Sequence, residues 1–294
     1  MWHVAVDLLY GRIFFIPLLF LFGFLLERIA PAGEMRSNRD FLLNCVCGFF
    51  FISFDLMASL LVASLLVGQH GKISIFASDR GNLVLAFALA AAWLAVRDFF
   101  YYWLHRLQHA SKWLWAEHML HHSDEHLNIT TSVRHHWLEM PLNALCVTAP
   151  MMLLFRPPLI TVPIAFFLTS LVSYLIHLNV RLSFGRFSWV LAGPQTHRIH
   201  HSRLPGHCDK NFAQFFPLWD VIFRTYYHPQ SDEYPASGLV SGETVSSLGR
   251  ALNLPFSEWH RMISAKLSTP PAFRDPQEHP QTILANIGNP EPRP

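Results

Sequence analysis

Histidine is over-represented in this chain: 18 of 294 residues, against 22 lysines and arginines together. Three clusters have chemical spacing: His105-Arg-Leu-Gln-His109, His118-Met-Leu-His121-His122 and His197-Arg-Ile-His200-His201. Residues three or four apart share one face of an α-helix, so a helix would turn each cluster into a chelating face. A strand would throw His121 and His122 to opposite sides. His177, at the end of an apolar segment, and His136, in Arg134-His135-His136-Trp137-Leu138-Glu139, extend the candidate ligand set. These ten imidazoles are too many for one ion, and two metals sharing them is the natural count. Neutral imidazole suits iron, zinc, copper or nickel, so ligand type alone does not name the metal. His135, adjacent to His136, is expected to point away.

Metal-bound imidazoles usually donate their second ring nitrogen to a carboxylate or carbonyl, which fixes tautomer and orientation. Three carboxylates are placed to do this. Asp98 stands two helical turns before His105, Glu139 stands three residues after His136, and Asp220 follows the third cluster.

The elements that must position these groups are apolar. Hydrophobic residues make up 51% of the chain and charged residues only 14%, where soluble domains run near 25% charged. That excludes an ordinary soluble enzyme and a disordered chain. A net charge of +2 gives no nucleic-acid footprint. Four cysteines, two of them inside an apolar run, make no disulfide or zinc framework. A bilayer needs roughly 20 apolar residues per helix. Five segments approach this: Ile13–Leu26, Phe41–Val67, Leu83–Leu104, Leu142–Phe155 and Leu159–His177. The last two could instead form a re-entrant hairpin, and the first reads as a retained helix rather than a cleaved signal peptide. Asp55 is the one carboxylate inside the second segment. The basic residues after the third and fifth segments put the histidine clusters and the C-terminus on the cytoplasmic side, under the positive-inside rule.

The expected architecture is all-α: an integral, multi-pass membrane helical bundle with a cytoplasmic-side helical cap carrying the histidines. It divides into N-terminal transmembrane helices (1–82), a histidine-bearing core with further membrane helices (83–228) and a Pro-rich tail (229–294). Half of the 20 prolines lie in that tail, which is expected to be partly disordered, with a short amphipathic helix within Gly238–Leu254.

The order HxxxH, HxxHH and, after membrane segments, HxxHH resembles the fatty acid hydroxylase / sterol desaturase superfamily of integral membrane di-iron oxygenases. Asp98–His109 (DFFYYWLHRLQH) resembles its lead-in to the first box, and Arg134–Glu139 its R-x-H-P-L-E segment. Asn211-Phe212 and Trp219-Asp220, with Phe223 and Thr225, resemble its N-F-G…W-D-x-x-F-G-T ending. Trp137 departs from the proline of that pattern, and Ala213 and Arg224 from its two glycines. The resemblance implies two iron ions, O2 as co-substrate, and hydroxylation or desaturation of a C–H bond in a membrane lipid. It also implies an external electron donor, cytochrome b5-like or ferredoxin-type with its reductase. The implied ligands are His105, His109, His118, His121, His122, His197, His200 and His201, with His136 and His177 added. A membrane-embedded zinc-dependent hydrolase is the alternative.

Overall fold

The computed structural model describes residues 17–35, 37–66, 83–155 and 161–268. The start of the first apolar segment, the end of the second, the Arg156–Pro158 connection and the last 26 residues of the Pro-rich tail lie outside these. Among the described residues the fold is helical and contains no β-strand; isolated bridges join Pro31 with Val180 and Ser202 with Ser237.

Helix α1 covers residues 17–29. Helix α2, Asn38–Leu65, starts at a reciprocal cap in which the Ser37 hydroxyl accepts from the Asp40 amide and donates to its carboxylate. It is apolar on every side. Its stretch Asn38–Val62 is the one described helix long and apolar enough to cross a membrane, and only 11% of its most apolar window is buried in the protein. Helix α3 is Leu83–Ala110, and Ser111 alone separates it from α4, Lys112–His122. After a 3-10 turn at Ile129–Val133, α5 (Glu139–Asn143) runs through a π-helical turn into α6 (Ala149–Leu154). Helix α7 is Thr161–Ile176, α8 is Pro194–His200, α9 is Leu218–Ile222 and α10 is Leu248–Ser268. Glu139–Leu154 and Phe167–Ile176 are apolar but shorter than a span.

The chain brings one end of each long element to a common level: the N-terminal turns of α2 and α5 and the C-terminal turns of α3 and α7. Buried polar struts hold them there. Arg134, 2% exposed, donates to Asn44 of α2, to the Leu120 carbonyl of α4 and to Ser123. Asn44 in turn donates to Asp124 and Thr130. Glu27 of α1, fully buried, accepts the backbone amides of Ile129 and Asn179. Such groups are tolerated in an interior because each is hydrogen-bonded. At Gly48, α2 comes so close to Val133 that a Cβ would lie 2.8 Å from its methyl carbon, which explains a glycine within that helix.

Residues 229–268 pack against the rest of the fold. Leu239, Val245, Ala251 and Leu254 share a buried cluster with Met119 and Leu120 of α4 and Leu43 and Cys47 of α2. The amphipathic helix expected within Gly238–Leu254 runs from Leu248 through Pro255 to Ser268.

Candidate metal centre

Helix α3 supplies His105 and His109 one turn apart, and α4 supplies His118, His121 and His122. His177 follows the last turn of α7. Helix α8 supplies His197 and His200, with His201 as its C-cap. This short helix has Pro194 at its first turn, and the Thr196 hydroxyl accepts from the Gly193 amide and donates to its carbonyl.

These nine imidazoles form two groups. His105, His109, His118, His122 and His200 make one; His121, His177, His197 and His201 make the other; within each, one nitrogen per ring lies within 4.8 Å of all the rest. Each HxxHH triplet is divided. The pair at i and i+4 (His118 and His122; His197 and His201) enters one group, and the intervening residue, His121 or His200, enters the other. The groups abut where the rings of His122 and His201 stack, centroids 4.4 Å apart.

The second nitrogens show what the rings are set up to do. His105 Nδ1 lies 2.7 Å from the Phe212 carbonyl, His200 Nδ1 2.8 Å from that of Lys210, and His177 Nδ1 2.6 Å from that of Ser173. A carbonyl only accepts, so each Nδ1 carries the proton and each Nε2 presents a lone pair. His118 Nδ1 is bound in the same way to the Glu139 carboxylate at 2.9 Å. The inward nitrogens of His105, His118 and His200 are buried and have no hydrogen-bond partner. Elsewhere inward nitrogens face each other: His109 and His122 at 3.2 Å, His121 and His177 at 3.2 Å, His177 and His197 at 3.0 Å. Two imidazoles bound to one ion at about 2.0–2.1 Å have nitrogens about 3 Å apart, so the residues fit a metal in each group. Burial, reinforced by neighbouring imidazoles, holds His121, His122, His197, His200 and His201 well below the usual histidine range. They are neutral at physiological pH, the form a metal needs.

His136 is not brought to either group. Its Nε2 lies 3.1 Å from the Leu252 carbonyl of α10, and its Nδ1 accepts from the Leu138 amide. The turn at 134–139 sends adjacent side chains opposite ways, and His135 is the one beside the site. Its ring lies 3.9 Å from that of His121. Among the carboxylates, Glu139 touches histidine directly. Asp98 does not: it accepts the amides of Gln214, Phe215 and Phe216. Asp220 accepts those of Phe212 and Ala213 and the Thr225 hydroxyl. Both hold the 212–216 backbone, which includes the Phe212 carbonyl facing His105. Sequence reasoning missed Asp209, whose carboxylate lies 3.3 Å from His109 Nδ1.

Two interleaved imidazole groups that could each hold a metal ion thus lie at the ends of apolar helices. Residues 90–225, which hold all nine rings, match the family model for fatty acid hydroxylases. The zebrafish (Danio rerio) alkylglycerol monooxygenase is 36% identical over 143 residues, 48% of this chain and 31% of that protein. The human enzyme of that name is 36% identical over 136 residues, covering 46% and 30%. The Rhizobium tropici ornithine lipid hydroxylase is 27% identical over 167 residues, covering 56% and 49%. The chain thus spans under a third of the length of the alkylglycerol monooxygenases it matches and about half of the hydroxylase. No solved structure matches.

Proposed function

We propose that this protein is a membrane-bound, O2-dependent lipid hydroxylase whose nine imidazoles hold two iron ions. The observation that carries this reading is the division of nine imidazoles, eight of them buried, into adjoining sets of five and four. When bound, iron supplies the oxidising power for an unactivated C–H bond. The protein's own residues do the rest. Phe212, Lys210, Ser173 and Glu139 fix the tautomers of four rings, so that Nε2 faces inward. Near-complete burial of the rings excludes water, which would otherwise quench a strong oxidant.

The relatives' names favour a lipid substrate and hydroxylation over desaturation. A multi-pass arrangement with the site at the cytoplasmic surface agrees with the apolar α2 and with the convergence of helix ends, and would let a lipid enter sideways with its tail in the bilayer. Electrons then come from a separate donor protein. A zinc hydrolase needs an open coordination position and a free general base; the nearest carboxylate, Glu139, is already tied to two rings.

The test is lipid profiling of cells with and without the gene, beside a His121→Ala version. A lipid gaining one oxygen only with the wild-type gene is the expected result. Identical profiles for wild type and variant would overturn the reading.

A further inference from the structure

His135 lies outside both imidazole groups, yet its surroundings are specific. Its ring is held between two others: Phe51 of α2 on one face, centroids 4.8 Å apart and planes 23° from parallel, and His121 on the other, 3.9 Å and 14°. Its Nδ1 lies 3.2 and 3.1 Å from the two oxygens of Glu139. The same carboxylate takes the His118 Nδ1 proton at 2.9 Å and the Gln108 amide at 3.1 Å. One anion therefore reaches a ring of each group, His118 directly and His121 through a stacked intermediary.

We infer that His135 and Glu139 form a single electrostatic bracket that tunes both metal positions, His135 acting as a positioning residue for His121. This rests on the proposed metal-holding role of the two groups. The physical basis is polarity. A metal-bound imidazole is electron-poor, and a carboxylate hydrogen-bonded to a ligand ring raises its basicity. His118 receives that effect through its own N–H. His121 receives it from the π-face of His135, whose ring the same carboxylate enriches, an attraction of the kind that holds cations over aromatic faces. Phe51 fixes the stack from behind, so the middle of α2 controls a ligand it does not touch. Sequence proximity would not suggest this. Glu139 is four residues from His135 but 18 from His121.

The experiment uses the full chain in lipid nanodiscs, loaded with ferrous iron alone. It reads iron content, the Mössbauer signals of the two positions and the rate of iron release to a chelator. His135→Phe keeps the stack and loses the carboxylate link; His135→Gln keeps a hydrogen-bond donor and loses the stack; Glu139→Gln removes the charge that serves both groups. In each His135 variant one of the two iron signals is expected to move, and that ion to leave about tenfold faster, the lower end of the range for lost outer partners of metal ligands. In Glu139→Gln both signals should move. His135 variants that retain both ions with wild-type signals and release, or that lose both equally, would overturn the bracket while leaving the proposed function standing. A wild-type chain that takes up no iron would overturn both.

Discussion

Arg224 holds its backbone at φ 61°, in the left-handed region. For a residue with a side chain this conformation costs about 1–2 kcal/mol, and the sequence pattern it resembles has glycine there. The side chain is exposed. Arg224→Gly should therefore stabilise the protein by about 1 kcal/mol at most, because glycine also loses more backbone entropy on folding. Thermal unfolding in detergent would register this as a small rise in midpoint, and a fall would mean that the arginine makes contacts outweighing the strain. Single residues were the least legible scale in the sequence. The histidine triplets stood out by spacing, but the choice between His135 and His136 depends on one turn after Val133. The acceptors at Phe212, Lys210 and Ser173 are backbone carbonyls, which carry no side-chain signature.

Helical spacing was legible, and it brings nine rings together; what it does not show is how each triplet is shared. On α4 and α8 the residues at i and i+4 serve one group and the residue between them serves the other. Single substitutions should therefore remove ions one at a time. His122→Ala and His121→Ala are each expected to lower the iron content from two towards one, depleting different Mössbauer signals, while His136→Ala keeps both ions. Loss of the same signal in the first two variants would contradict the division. The length of α10 was hidden for a different reason. Pro255 removes a backbone donor and reads as a stop, yet the helix continues, anchored by Ala251 and Leu254 against α4 and α2.

At the scale of the whole molecule, the apolar composition announced a helical membrane protein, and an all-helical fold with one bilayer-length apolar helix is what the described residues show. Burying so many imidazoles makes stability depend on pH. His121, His122, His197, His200 and His201 have folded-state values well below the ordinary 6.5, whereas an unfolded chain titrates near 6.5. Below that pH the unfolded chain binds more protons, so the contribution is fully present above about 6.5 and is lost as the pH falls. Metal-free protein should show a falling unfolding midpoint from about pH 6.5 to 5, and a flat profile would mean that the rings are not buried neutral.

The single-residue joint at Ser111 leaves the two sets of rings unequal in how far the polypeptide must travel to complete them. Four of the five members of one set fall between residues 105 and 122, whereas the other draws one member from that stretch and waits for positions 177, 197 and 201. Closing a long excursion costs more entropy than closing a short one. During synthesis the compact set can therefore gather first, and on thermal loosening the far-flung one is the first to come apart.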